Sequence, residues 1–388
     1  MTAALLLCLA GAGLLLAVVQ ATALRLHLRK RAPEPRSFPF VSVLKPLCGV
    51  DDELWSNLRS FSRLRYPLYE ILLGVKDTRD PAYALALQAA RRWPGLVRVV
   101  VQRGAPGLNP KVNQLITLAA AARGALLVVS DSNVRVSRDY LRGIAAAFED
   151  REVALVTHPV AGIGERSLGA LLDNLALCGS VAAGVVSAKR LARKDLVVGK
   201  SMALRRCDLR AMGGFERLKD VLAEDFLTGR IVTRELGKKV VLSSQPVFNV
   251  CRSQCVMAFF SRYQRWSVMQ RKAAGNAAYA AQILLNPVAL AAAALLVSPG
   301  RTTALGFCIT AVLRACLHES SARALRVRGF SAWCLLVPLG DLIVGCAWAT
   351  GFVRNEITWR GNRLAVGEDT RLERIDERGS TSPSLALE

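Results

Sequence analysis

Residues 3–24, from Ala3 to Leu24, carry no charged side chain. A helix needs about 20 apolar residues to cross a bilayer, so this run is long enough to span one. Arg25, Arg29, Lys30, Arg31 and Arg36 follow at once. Lys and Arg collect on the cytoplasmic flanks of spans. The run therefore reads as a retained anchor, with its N-terminus outside and the following domain in the cytoplasm. A cleaved signal peptide is the alternative, and Ala21-Thr22-Ala23 resembles a cleavage site. No basic residue precedes the run, however, which is not the signal-peptide layout.

Composition supports a membrane protein. The 388 residues are 52% hydrophobic and carry a net charge of +22. A disordered basic protein would be poor in apolar residues. A soluble nucleic-acid binder is seldom this apolar. Most of the charge lies in four segments, 25–36, 186–210, 252–272 and 314–328, each beside an apolar run or a proposed membrane-facing element. It marks contact with the cytoplasmic leaflet, and no nucleic-acid partner is expected. Five of the ten cysteines sit in apolar runs, where Cys behaves as a small hydrophobe. Only Cys251 and Cys255 are close together, with no second pair or His to complete a zinc set, which reads as a reducing compartment.

Three more apolar runs follow: Ile283–Ser298, Thr303–Leu317 and Ala332–Phe352. Pro287 interrupts the first, Arg314 sits near the end of the second, and Asp341 interrupts the third. They read as tilted spans, a helical hairpin or re-entrant pieces. Arg323, Arg326 and Arg328 place one side of the last run inside. Arg354, Arg360 and Arg363 pull its other side inside too, so a simple three-span count cannot satisfy both. The expected organisation is an anchor (1–24), a basic linker (25–39), a catalytic domain (40–250) and interfacial helices (251–280). Membrane segments (281–355) and a charged tail expected to be disordered (356–388) complete it.

Within 40–250, short β-rich runs alternate with helical patterns. Strands are expected at Phe40–Leu44, Glu70–Val75, Val97–Gln102, Ala125–Ser130, Val153–Thr157 and Lys239–Leu242. Helices are expected at Asp51–Arg63, Pro81–Trp93, Pro110–Arg123, Arg138–Phe148 and Glu224–Leu236. Such alternation predicts an α/β domain with a mostly parallel sheet, whose ligands bind at the carboxyl ends of the strands. Neither a G-x-G-x-x-G after the first strand nor a P-loop is present.

Three acids fall where such a sheet places ligands. Asp77 ends the second strand, Asp131 ends the fourth, and Asp225 stands at a helix start in Ala223-Glu224-Asp225-Phe226. Each alone is also a common turn or cap residue. Asp131-Ser132-Asn133 presents two oxygens suited to Mg2+ or Mn2+ completed by substrate phosphates, or else an Asx turn. Arg262-Tyr-Gln-Arg265-Trp266 puts two guanidinium groups on one helix face. They suit a diphosphate, or equally an anionic membrane surface. The basic segment Val181–Arg210 reads as an amphipathic or loop element near the bilayer, or as a solvated face.

Taken in order, Asp77, Asp131, Asp225 and R-x-x-R-W resemble the D, D, D, (Q/R)xxRW pattern of membrane-bound inverting glycosyltransferases with a GT-A, Rossmann-like fold. Asn109-Pro-Lys-Val-Asn113, Ser130-Asp-Ser-Asn133, Gly199-Lys-Ser-Met202 and Ala223-Glu-Asp225 narrow the resemblance to the ceramide glucosyltransferase family. The resemblance implies that a hexose, glucose first among candidates, passes from a UDP-sugar to the hydroxyl of ceramide or a ceramide-like lipid. It implies Asp225 as the general base, Asp77 as a uridine contact and Asp131 with Asn133 as ligands of a divalent cation, Mg2+ or Mn2+. Arg262, Arg265 and Trp266 would close over the diphosphate and the acceptor entrance. Lys45 and Lys111 would be further donor contacts, with Glu224 and His158 near the acceptor. The departure from the family pattern is Asn133, an uncharged oxygen where Asp-x-Asp has a second acid. Glu224 competes with Asp225 as the inward acid, and His158 is as readily a satisfied structural histidine. Other readings are a hopanoid acceptor, a polysaccharide synthase, or a non-enzymatic basic membrane scaffold that binds anionic lipid.

Overall fold

The computed structural model describes residues 1–31, 33–330, 332–359 and 362–375. The chain forms two compact units. One comprises Leu28–Val160 and Ala188–Val250; the other comprises Met1–His27, Ala161–Ser187 and Cys251–Glu388.

Strands form where the apolar β-branched runs lie. They are β1 (Val41–Pro46), β2 (Tyr69–Val75), β3 (Val97–Val101), β4 (Leu126–Ser130), β5 (Val134–Arg135), β6 (Val153–Thr157), β7 (Val160–Ile163), β8 (Ser201–Arg205), β9 (Lys239–Leu242) and β10 (Val247–Val250). Seven of them make one sheet in the order β3-β2-β1-β4-β8-β6-β9. Its pairings are parallel except those of β8 with β4 and β6. Both faces are covered. Val43, Ile71 and Val128 enter one core cluster, and their chain neighbours Leu44, Leu72 and Val129 enter the other. This is the two-residue alternation of a strand. Each such side chain contributes about 1.5–3 kcal/mol relative to leaving it in water. The expected α/β architecture is present, with helices at Leu54–Phe61, Ala82–Arg92, Pro110–Ala121 and Tyr140–Ala147, each within a few residues of its predicted bounds, and at Glu224–Arg230, which runs on as a π-helical turn, Ile231–Glu235, toward the predicted end at Leu236.

A buried carboxylate ties the amino-terminal side of the sheet. Glu70 accepts from Ser42 Oγ at 2.7 Å, from the Arg123 backbone N–H at 2.8 Å and from Arg98 at 2.9 Å. Burial alone would raise its pKa, but these donors overcome that and leave it lowered.

Strand β8 was not expected. It lies inside the basic segment Val181–Arg210, which also holds the end of a helix at Arg190 and most of a short helix, Arg206–Ala211. Ser-Met-Ala-Leu-Arg has little β preference of its own. Its two neighbours in the sheet supply the pairing.

Among the described residues three helices are long and apolar enough to cross a membrane: Thr2–Leu28, Leu168–Arg190 and Trp333–Thr350. The anchor-like first helix is 17% buried over its most apolar window, whereas Leu168–Arg190 is 78% buried. Leu168–Arg190 was not foreseen as a span. The run expected at Ile283–Ser298 is bent by 86° between Asn276–Leu285 and Pro287–Val297, as an interrupting Pro dictates. Thr303–Leu317 lies within a 24-residue helix, Arg301–Ala324.

The tail departs from expectation. β11 (Glu356–Trp359), β12 (Asn362–Val366) and β13 (Leu372–Arg374) form an antiparallel sheet. Ile357, Leu364, Val366 and Leu372 are buried. Charge and Ser content had hidden that apolar alternation. Residues 376–388 lie outside the described residues.

Candidate active site

Sheet topology alone brings the polar residues together. β2, β1 and β4 are adjacent and parallel, so Asp77, Lys45 and Asp131 arrive at one edge. β8 runs the other way, with Ser201 opposite Ser130, so its start delivers Gly199 and Lys200 to the same edge. The carboxyl end of β6 adds His158.

Lys111 stands at the centre. Asn109 caps the helix Pro110–Ala121, its side chain accepting from the backbone N–H groups of Lys111 and Val112 at 3.0 and 3.1 Å. Asn at the cap with Pro at the first helical position fixes where the helix begins, and so where Lys111 leaves it. Lys111 Nζ lies 3.0 Å from Asp131 Oδ1, 2.8 Å from Glu224 Oε1 and 3.0 Å from the Gly199 carbonyl. Burial opposes its charge, but Asp131 and Glu224 outweigh burial and raise its pKa. Asp131 is likewise buried, yet Lys111 and Lys200 hold its pKa well below the usual carboxylate range.

Asp225 behaves differently. Its Oδ2 accepts from the Gly199 N–H at 2.6 Å and its Oδ1 from the Phe226 N–H at 2.8 Å. Burial, and then the charge of Glu224, push its pKa up to about 6, against the pull of Lys111 and the two N–H donors. Of the two neighbouring acids, Glu224 takes the ion pair and Asp225 is left with a raised proton affinity.

Gly199 makes this possible. A Cβ there would stand 2.9 Å from Asp225 Oδ2 and 3.3 Å from Lys111 Nζ. Gly199→Ala is therefore expected to displace the Asp225 carboxylate. A misplacement near 1 Å costs up to about 100-fold, so transfer should fall about 10- to 100-fold with unchanged circular dichroism. An unaltered kcat/KM for Gly199→Ala would show that this contact does not position Asp225.

The other predicted residues are placed as follows. Lys45 is fully buried, its Nζ 2.7 Å from the Asp131 carbonyl, 3.2 Å from Ser130 Oγ and 3.9 Å from the Phe61 ring centre. Burial lowers its pKa to about 7, so it supports the edge from beneath. Asp77 is half exposed and turns onto the Arg79 N–H at 2.8 Å. Asn133 Oδ1 accepts from Lys200 Nζ at 3.0 Å. His158 is buried, with Nδ1 2.9 Å from Ser201 Oγ, which in turn is 2.6 Å from the Tyr140 hydroxyl. Its Nε2 has no hydrogen-bond partner among the described residues. Arg262, Arg265 and Trp266 lie on a helix as expected, Val256–Ala274, which belongs to the other unit. There Arg262 pairs with the fully buried Asp173, and the Trp266 ring packs 5.1 Å from that of Tyr263.

Sequence reasoning missed Lys200 and Asp173. Lys200 sits in the Gly199-Lys-Ser-Met202 text that carried the resemblance, which was the available signal. Asp173 had none beyond being a lone acid in an apolar run.

The sequence matches Glycosyl transferase family 21 over residues 6–372. The chain belongs to glycosyl transferase family 21. Among characterised relatives, ceramide glucosyltransferase 1 of Caenorhabditis elegans is 30% identical over 253 residues, 62% of this chain and 52% of that protein. The ceramide glucosyltransferase of Komagataella phaffii is 29% identical over 203 residues, 47% of this chain and 40% of that protein. The match thus spans about half the length of such relatives. A mannosyltransferase of Pyrobaculum calidifontis, solved with GDP-Man and Mn2+, aligns over 90% of this chain and 99% of its own, at 17% identity and a TM-score of 0.49. In this family 21 chain the charged cluster at the sheet edge is built from Lys45, Lys111, Lys200, Asp131, Glu224 and Asp225.

Proposed function

We propose that the chain is a membrane-bound inverting glycosyltransferase of the GT-A type. It moves a hexose, glucose first, from a UDP-sugar to the hydroxyl of ceramide or a similar lipid. The observation that carries the reading is the Asp225 carboxylate at the carboxyl edge of the sheet. Two backbone N–H groups fix it, and its pKa of about 6 suits a general base near neutral pH. Family membership and the named relatives supply the reaction class.

In this reading Asp225 takes the proton as the acceptor oxygen attacks the anomeric carbon. The bond from that carbon to the diphosphate oxygen breaks, and its electron pair leaves with UDP. One displacement inverts the anomeric centre. Glu224, paired with Lys111, places its carboxylate beside Asp225 and so raises the basicity of Asp225. Asp77 is assigned to the uridine side of the donor. Arg262, Arg265 and Trp266 are assigned to the diphosphate by the motif, with Asp173 bracing Arg262. The oxygens that the motif offers a divalent cation are those of Asp131 and Asn133. Among the described residues no group of three or more His, Cys, Asp or Glu side chains could hold a metal. The basic residues after the first helix support a cytoplasmic active unit, which the hydroxyl of a bilayer lipid can reach.

Two results test this. Purified full-length protein is supplied with labelled UDP-glucose, UDP-galactose or UDP-N-acetylglucosamine and a membrane lipid extract. A labelled lipid is expected, with UDP-glucose the best donor. No labelled lipid from any of the three would favour the scaffold reading, in which Asp77, Asp131 and Asp225 could all become Asn without loss. The second result concerns pH. A base works only when deprotonated, so kcat/KM is expected to fall as pH drops through about 6. A profile flat from pH 5 to 8 would remove Asp225 from the role.

A further inference from the structure

The two oxygens expected to hold a divalent cation are already engaged. Lys200 Nζ lies 3.1 Å from Asp131 Oδ2 and 3.0 Å from Asn133 Oδ1. Mg2+ binds oxygen at about 2.0–2.1 Å, so no ion takes both oxygens while the ammonium stands between them. Charge argues the same way. A single carboxylate, Asp131, faces two ammonium groups, with Lys111 3.0 Å from its other oxygen. Asn133 brings no charge. Asp131 and Asn133 together carry one negative charge, which Lys200 already answers while Lys111 is shared with Glu224, so the residues present do not fit the dication.

We propose that Lys200 takes the place of the divalent cation. Its ammonium is the positive charge that meets the donor diphosphate, and transfer proceeds without Mg2+ or Mn2+. The inference rests on the sugar-nucleotide reading above. Of the three lysines at the edge, Lys200 is the one built for the task. Lys45 is fully buried beneath Asp131, and Lys111 spends its donors on Asp131, Glu224 and the Gly199 carbonyl. An ammonium has three donors. Lys200 uses two, and its side chain is 23% exposed. The strand that carries it is antiparallel in an otherwise parallel sheet, and only that direction brings its first residues to the carboxyl edge. When the sugar–oxygen bond breaks, the electron pair stays on the diphosphate. A fixed cation beside that oxygen stabilises the charge as it develops, and Lys is a point-charge phosphate binder. Asn133 then has a purpose: it holds the ammonium in place without adding the second charge that a metal would demand.

The test uses the full-length protein in detergent, with UDP as the probe in titration calorimetry and transfer as a second readout. With excess EDTA, wild type is expected to bind UDP within about twofold of its affinity in Mn2+ and to keep turning over. Lys200→Met is expected to weaken UDP binding about 10- to 100-fold and to reduce kcat, since one lost donor to a developing charge costs about 100-fold or more. Lys200→Arg, which keeps the charge, should remain nearer to wild type than Lys200→Met. If EDTA abolishes UDP binding and turnover by wild type and Mn2+ restores them, the inference is overturned while the donor reading stands. If wild type binds no UDP with or without a cation, the donor reading fails and the role of Lys200 falls with it. The EDTA comparison needs no variant, so it decides the matter even where Lys200→Met fails to fold.

Discussion

Asp225→Asn is expected to lower kcat by about 100- to 10,000-fold, the range supplied by a positioned general base, while UDP affinity changes little. Asn is nearly the size of Asp but keeps one acceptor oxygen, which serves the Gly199 or the Phe226 N–H and not both, so a circular dichroism spectrum equal to wild type's is the accompanying check that the helix start at Glu224 survives. What it loses is the capacity to take a proton. The neighbouring acid cannot substitute, because Glu224 is held by Lys111 at 2.8 Å. Glu224→Gln should behave differently. It removes one anion from Lys111 and the charge that helps keep the Asp225 proton affinity high. Its acidic limb is expected to move to lower pH while transfer persists. Comparable activity in Asp225→Asn and wild type, or an inactive Glu224→Gln beside an active Asp225→Asn, would show that the two acids have been assigned the wrong way round.

The second large effect is expected in the unit that holds the long apolar helices. Arg314→Met should destabilise the protein by about 3–5 kcal/mol, the cost of leaving one partner of a buried ion pair without the other. Arg314 Nε lies 2.9 Å from Asp341 Oδ2, with the two side chains 5% and 8% exposed. Arg314 also donates to Ser180 Oγ at 2.8 Å, and Asn286 donates to the Asp341 carbonyl at 2.6 Å. The two charges thus join the helix Arg301–Ala324 to the one at Val337–Thr350. Charges at membrane depth persist only when paired in this way. Arg314→Met with Asp341→Leu removes both charges, so it should recover most of the loss. The measure is the apparent melting temperature and the monodisperse fraction of detergent-extracted protein. A double variant as unstable as the single would show that the pair matters for some other reason than an orphaned charge.

How much of this could be read from the sequence follows from what is local. The six predicted strands were legible because each is a short apolar run, and a strand needs only its own pattern to be seen. Asp77, Asp131 and Asp225 were legible as acids that follow such runs or open a helix. Lys111 was legible through Asn109-Pro110, which fixes a helix start. Lys200 was not, because its place depends on β8 pairing backwards with β4, and Ser-Met-Ala-Leu announces no strand. Arg314 and Asp341 looked like two separate interruptions of apolar runs. Only packing shows that they answer each other. Asp173 and Arg262 are the same case over 89 residues. The tail misled for the opposite reason: its composition is that of a disordered segment, but four spaced apolar residues suffice to close a small sheet.

The central claim is that one displacement, driven by Asp225, moves a sugar from a nucleotide to a lipid. The most direct test is the anomeric configuration of the product. Wild-type protein in ceramide-containing vesicles is given UDP-α-glucose labelled at the anomeric carbon, and the lipid product is examined by NMR. The β-linked glycolipid is expected, formed by wild type and lost in Asp225→Asn. An α-linked product, or a labelled lipid formed equally by Asp225→Asn, would contradict the account.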